Sequence, residues 1–409
     1  MSKIFQTIKL CRLCDSSNMQ SILNLGDQPP ANSLYAPNDE SPPASIPLRL
    51  MYCEGCSTVQ LGESVDPGYL FSKYLWVTGT SAKARQHSRE FSKNALVRCA
   101  NNRPFVIEIA SNDGTFLKRF LELDCEVLGI DPAKNIAELA SNNGVPTLTE
   151  FFTVDLAKRL VQEKGKSDIV FARNVLPHVK EINSVVEGIK VLLSNEGLGI
   201  VEFHDTGLIL EELHYDSIYH EHLFLFSLKT ISQLLEKYHL YVFDIMPSPI
   251  SGGSWVIYFS KQKRLQTNSV LKIQQHEKKT GVNTYERWVK FAEQVKSHSE
   301  ELKRMISQND EKILAYGASA RSSTLLNFCG INSRQISAII DKNPLKKGLM
   351  TPGSNIPIIS FEQGLKKIKN VGKILLLAWN FQEEIVLELR AAGFTGQFIA
   401  PLPNKPHIL

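Results

Sequence analysis

The sequence predicts an α/β protein built on a parallel, doubly wound sheet, with a small metal-stapled unit before it and a second α/β unit after it. Three observations carry that prediction. From about residue 104, short apolar runs alternate with helix-periodic stretches at βαβ spacing. The first 70 residues hold two Cys-x-x-Cys pairs in an otherwise irregular, proline-rich stretch. Beyond a charged, helix-periodic stretch at 268–308, the strand–turn–helix rhythm restarts at Lys312.

A chain of 409 residues fits two or three domains. Its 43% hydrophobic and 22% charged residues match a globular average, which excludes disordered, collagen-like and coiled-coil classes. The net charge of +4, from 46 basic and 42 acidic side chains, is too small and too scattered for a nucleic-acid footprint. No apolar run reaches the 18 or so residues of a membrane span, and the first ten residues lack the apolar core of a signal peptide. A cytoplasmic protein with neither nucleic-acid nor membrane partners is expected, as a monomer or weak homodimer. Seven cysteines, an odd number, argue against a disulfide framework. Cys99, Cys125 and Cys329 are isolated and read as inert buried thiols.

Residues 1–70 form the first unit. Apolar runs at Leu48–Tyr52 and Val59–Leu61 read as small strands around a loop-rich core, and so short a unit needs a staple. Cys11, Cys14, Cys53 and Cys56 fit four-thiolate zinc ligation, each pair forming a turn whose thiolates converge on one ion. Four thiolates fill the tetrahedron, so the zinc is expected to be structural. Gly55, inside the second pair, is expected at a tight turn. The rival readings are free thiols in unrelated turns and a redox dithiol. The dithiol is the weaker, since neither pair opens a helix of a βαβ pattern.

The middle unit, 71–265, opens with a helical pattern at about 84–100. Strands follow at 104–110, 125–131, 168–172 and 197–203, with helices at 115–122 and about 133–141. Residues 266–309, with Gly281 their only glycine and no proline, read as one long connecting helix. The last unit, 310–409, has strands at 312–316, 336–341 and 373–378 and a helix at 321–328.

In the middle unit, Val106–Gly114 is a buried strand followed by a turn of small and polar residues that opens a helix. A ligand can approach backbone closely there. Asp131 ends the next strand, close to the spacing at which an acid accepts the hydroxyls of an adenosine ribose. Only Gly114 is a glycine in that turn, and Asp113 would repel a pyrophosphate. Glu108, Asp113 and Asp131 together favour a cationic ligand such as S-adenosylmethionine; the plain alternative is a structural turn with incidental acids.

Further on, Tyr219, His220, Glu221 and His222 are consecutive, and His178 follows the third strand of the unit. An imidazole titrates near neutrality, so His222 suits proton abstraction beside a carbonyl. Tyr219 and a second histidine suit hydrogen bonding to an enolate oxygen. A core histidine cluster and a metal site are the other readings. The metal site lacks the spacing of four found in zinc hydrolases. In the last unit, Tyr316–Ala320 with Arg321 suits contact with a substrate phosphate, and its single glycine makes it a weak dinucleotide motif.

Together these residues resemble the nucleotide-sugar C-methyltransferases that methylate C-3 of a 4-keto-6-deoxy sugar. The resemblance spans the whole chain. It rests on the cysteine quartet with Leu25–Ser33, Tyr74–Ser81, Glu108–Gly114, Gly129–Ala133, Phe171–His178, Tyr215–His222 and Tyr316–Asn327. It implies a class I methyltransferase Rossmann-like domain between a zinc-binding domain and a C-terminal Rossmann-like domain without a cofactor of its own. It also implies His222 as the base, with His178, Tyr219 and Glu221 in catalysis. Tyr74, Asn174, His220, Gly252, Gly253 and Arg321 are the implied substrate contacts. Glu108, Ala110, Asn112, Asp113, Gly114, Asp131, Pro132, Ala172 and Asn174 are the implied contacts to S-adenosylmethionine. One departure stands out: the family commonly reads His-Gly-Gly-Ser with an Arg soon after, and this chain has Ser251-Gly-Gly-Ser254 followed by Trp255 and Val256. O-methylation of a sugar or small molecule, a non-catalytic zinc-bearing binding protein and an oxidoreductase using the last unit are the competing functions.

Overall fold

A computed structural model describes residues 4–39, 42–71, 77–308 and 312–409. The middle of the chain forms a seven-stranded sheet. Its strands are β1 (Phe105–Ile109), β2 (Glu126–Ile130), β3 (Thr147–Leu148), β4 (Ser167–Arg173), β5 (Leu193–His204), β6 (Tyr241–Ser248) and β7 (Ser254–Ser260). They lie in the order β6-β7-β5-β4-β1-β2-β3, with β7 antiparallel to both its neighbours and the pairs among β1 to β5 parallel. Strands β1 and β4 are covered on both faces, so they read as mostly apolar runs, interrupted by Glu108 inside β1 and by Ser167, Asp168 and Arg173 at the ends of β4. The sequence order of βα units thus gives a Rossmann-like sheet whose strand ends β1, β2, β4 and β5 share one edge.

The N-terminal unit is a four-stranded sheet in the order 224–225, 59–61, 46–53, 19–28. Its ten-residue strand Met19–Gln28 carries no clear strand pattern in the sequence, because bulges interrupt its register with Ile46–Cys53 and break the alternation that marks a strand. Its edge strand, Phe224–Leu225, is supplied by the middle of the chain, directly after the His/Tyr segment. The C-terminal sheet runs 358–359, 336–340, 313–316, 373–376, 397–400, 407–408, parallel except for its last pair.

The connecting region is two helices, Asn268–Thr280 and Tyr285–Ser307, and not the single helix expected. Gly281 ends the first in a left-handed conformation, φ +70°, which costs glycine little. Buried Trp288 then fixes the turn by donating Nε1–H to the carbonyl of Val282 at 2.8 Å. Among the described residues, no helix is long and apolar enough to cross a membrane.

Candidate active site and metal centre

The two cysteine pairs fold as near-identical knuckles. Cys11 accepts from the Asp15 amide at 2.9 Å and Cys53 from the Ser57 amide at 2.8 Å; Asp15 and Ser57 both take positive φ, 60° and 61°. The four Sγ atoms lie within 4.8 Å of one another, and they are the one such potential metal cluster among the described residues. Two edges measure 3.7 Å (Cys11 to Cys56) and 3.6 Å (Cys14 to Cys53). A zinc tetrahedron with bonds of about 2.3 Å has edges of about 3.8 Å, so the donor set fits that ion. Gln60 Nε2 adds a donor to Cys11 Sγ at 3.0 Å, the kind of outer contact that steadies a thiolate. Gly55 is favoured by closeness rather than by backbone angle: a Cβ there would lie 3.1 Å from Ser16 Cβ, a tight contact.

At the sheet's edge, the turn after β1 is tightly constrained. Ala110, Asn112 and Gly114 take φ of 53°, 51° and 73°. Asp131, at the end of β2, accepts the Asn112 amide on Oδ2 and the Ala133 amide on Oδ1, both at 2.9 Å, so it braces both loops. Each oxygen keeps a second lone pair for a hydroxyl. Burial pushes its carboxyl up. Pro132, half-buried, follows it. The Asn112 and Asp113 side chains accept the Thr78 and Gly79 amides at 2.8 and 2.9 Å, which docks the 78–80 turn on the loop. Glu108 is fully buried, and its Oε2 has no partner among the described residues. A buried carboxyl oxygen without a partner among the described residues, with Asp131 at the end of the neighbouring strand, suits a polar ligand bearing a ribose.

Beneath this loop runs a charge network in which the sequence reading gives a role to Glu108 but none to Arg173, Glu202 or His87. Arg173 donates Nε–H to Glu108 Oε1 at 3.1 Å, lies 3.7 Å from Glu202 and stacks on Phe116. Glu202 also accepts from Ser248 and meets His87 Nε2 at 3.1 Å. Burial raises Glu108 to about 8, with Arg173 offsetting only part. Burial also works against Glu202, but His87 and Arg173 outweigh it and hold that carboxyl low. The signal was available: a glutamate inside a buried parallel strand needs a buried partner.

Past Ala172, buried in β4, Asn174 takes φ 52° and donates its amide to Glu202 O at 2.7 Å. The His/Tyr segment folds over these strand ends. His222 Nδ1 lies 2.6 Å from the Ser217 carbonyl, and that acceptor fixes the proton on Nδ1. Its Nε2 therefore carries the lone pair and accepts from the Tyr219 hydroxyl at 2.8 Å. The His178 ring stands 4.8 Å away, edge to face, with Nδ1 unpartnered among the described residues. Burial, and then His178, depress His222 well below the ordinary histidine range; burial takes His178 down to about 4. Both are neutral at neutral pH.

Other expected members of the site divide. Glu221 is buried and accepts from Asn32 Nδ2 at 2.6 Å, across from the N-terminal unit; burial raises it to about 7. His220 turns away, its Nε2 3.2 Å from the Ile46 carbonyl in the N-terminal sheet. Gly252 and Gly253 form a turn at φ 84° and 132°; a Cβ on Gly253 would lie 2.3 Å from Leu208 Cδ2. Gly252 faces Arg321 and Trp379 of the C-terminal unit. Arg321 forms a two-bond pair with Asp216. Tyr74 lies outside the described residues.

Comparison with known proteins bears on this arrangement. A family described as C-methyltransferase C-terminal domain matches residues 249–403, a zinc binding domain family matches 11–71, and a methyltransferase domain family matches 107–198. The C-methyltransferase NovU of Streptomyces niveus is 30% identical over 417 aligned positions, covering 100% of this chain and 99% of that one. Among solved structures, the PH0226 protein of Pyrococcus horikoshii OT3 is 17% identical over 47% of this chain and 98% of its own, with a TM-score of 0.38. Magnesium protoporphyrin IX methyltransferase of Synechocystis, with bound SAM, is 13% identical over 43% of this chain and 78% of its own, with a TM-score of 0.33.

Proposed function

The chain belongs to the S-adenosylmethionine-dependent C-methyltransferases, and from that premise we propose that it methylates C-3 of a nucleotide-linked 4-keto-6-deoxy sugar, in branched deoxysugar biosynthesis. The observation that carries this reading is the neutral His222, its Nδ1 proton given to the Ser217 carbonyl and its Nε2 lone pair accepting from the Tyr219 hydroxyl. A base so arranged is ready to take a proton from carbon.

When the keto-sugar enters, its C-3 hydrogen replaces the Tyr219 hydroxyl at Nε2. The C-3–H bond breaks, the proton passes to Nε2, and its electron pair moves into the carbonyl as an enolate. The released Tyr219 hydroxyl donates to the enolate oxygen, and His178 stands beside the same ring. Glu108 and Asp131, with the turn Ala110–Gly114, hold the cofactor, which supplies an electrophilic methyl group. Holding both reactants in one cleft removes much of the entropic barrier. Cys11, Cys14, Cys53 and Cys56 would hold a zinc ion with all four positions filled by thiolates, which suits a structural role.

The test is direct. Purified protein is incubated with S-adenosylmethionine and a panel of keto-sugar nucleotides in deuterated water, and products are weighed. Wild-type protein should add one methyl group, and omission of the cofactor should leave deuterium at C-3. His222→Ala should lose both methylation and exchange yet bind the cofactor. Normal turnover in that variant refutes the base assignment; methylation at oxygen, without exchange, replaces it with O-methyl transfer.

A further inference from the structure

The segment bearing Tyr219 and His222 is held from outside its own sheet. Asp216, buried, receives three donors from the C-terminal unit: Arg321 Nε at 3.0 Å, Arg321 Nη2 at 2.8 Å and Trp379 Nε1 at 2.8 Å. The same guanidinium donates Nη1–H to the Ser251 carbonyl at 3.1 Å and lies 4.8 Å over the Trp379 ring. A single side chain therefore joins the His/Tyr segment to the Ser251–Gly253 turn. Nearby, Thr324 on the same helix as Arg321 donates to the Ile218 carbonyl at 2.9 Å.

A planar fork that meets a carboxylate in two bonds sets both position and angle, which an ammonium cannot. Its charge is already matched by Asp216, so little remains for a phosphate. Three of its five N–H donors are given to protein acceptors on both flanks of the site.

Resting on the reading of His222 as the base, we propose that Arg321 is a positioning residue: its fork on Asp216, backed by Trp379, sets the placement of Tyr219 and His222, in place of the phosphate contact expected from sequence. The C-terminal unit then acts on the chemistry through a segment that is not its own.

Four variants test this: Arg321→Lys, Arg321→Gln, Asp216→Asn, and the double variant Asp216→Asn with Arg321→Gln. Each is read by hydrogen–deuterium exchange of the peptide spanning 214–222, by kcat and KM for the nucleotide sugar, and by thermal melting. Arg321→Lys keeps the charge and loses the fork. It should lower kcat by about tenfold, as a small misplacement does, leave KM within about twofold, and speed exchange at 214–222 without shifting the melt. A raised KM with unchanged kcat and exchange overturns the proposal in favour of phosphate binding. The double variant should be no worse than the worse single change; additive losses overturn the proposal. If Asp216→Asn fails to fold, the lysine and double variants decide. If wild-type protein methylates no sugar on the panel, the function proposed above fails, while the exchange data still decide the clamp.

Discussion

Asn32, on the cysteine-bearing unit, donates Nδ2–H to Glu221 Oε1 at 2.6 Å, one residue before His222 in the chain. A small unit that looks like a separate module thus reaches the centre of the molecule.

Removal of that donor leaves a buried carboxyl without its partner, a loss of about 1–3 kcal/mol. Asn32→Ala should lower kcat by about tenfold with the zinc content unchanged. Asn32→Asp should be worse, because two carboxyl groups would then face each other. Steady-state kinetics with metal analysis checks both; wild-type kcat in Asn32→Asp contradicts the coupling.

Zinc removal should act at a distance. The metal holds the knuckles at Cys11 and Cys53, strand Val59–Leu61 follows the second knuckle, and Phe224–Leu225 pairs with that strand. Chelation, or Cys53→Ser, should remove activity in step with bound zinc and lower the melting temperature. Full activity in zinc-free protein would break this chain of contacts.

Gly114 carries two constraints at once. Its φ is +73°, and a Cβ would sit 2.8 Å from the Val145 side chain. Gly114→Ala should cost about 1–3 kcal/mol of stability through overpacking and weaken S-adenosylmethionine binding, as calorimetry and denaturant melts would show. Unchanged values in both would mean the turn is looser than its geometry states.

His178 gives a signed pH effect. Its folded pKa is about 4, from burial, against 6.5 in the unfolded chain. Below pH 6.5 the unfolded chain binds the proton first, so this group's contribution to stability falls as pH drops from 6.5 to 4, by about 1.4 kcal/mol per pH unit. Glu221, raised to about 7, works the other way across part of that range. The test is therefore the difference between wild type and His178→Gln, which should shift in the variant's favour toward acid. Parallel stability curves would contradict it.

The sequence made the buried strands legible, because Phe105–Ile109 and Ser167–Arg173 each carry a short, mostly apolar run bounded by turn or polar residues. The cysteine knuckles and the turn at Ser111–Gly114 were legible for the same reason: residue type and spacing are local. What stayed hidden is contact between distant parts. Asn32 with Glu221, Arg321 with Asp216, and His87 with Glu202 are pairs 115 or fewer positions apart in two cases and 189 in the other, and no periodicity links them. His220 shows the converse. Its place in a four-residue cluster suggested a shared role, but a 3₁₀ turn at Tyr215–Ser217 and the strand at Phe224 rotate it toward the N-terminal sheet.

Strand β7 has a bearing on how the chain reaches this form during synthesis. It sits inside the sheet, matched residue for residue to β5 from Gly199 to His204 and flanked by β6 on its other side. Until Ser260 has left the ribosome, β5 and β6 have an unfilled slot between them, with unpaired backbone on both walls. Nascent chains halted before that point should remain open to proteases, and any expression fragment meant to carry the catalytic sheet must extend past it.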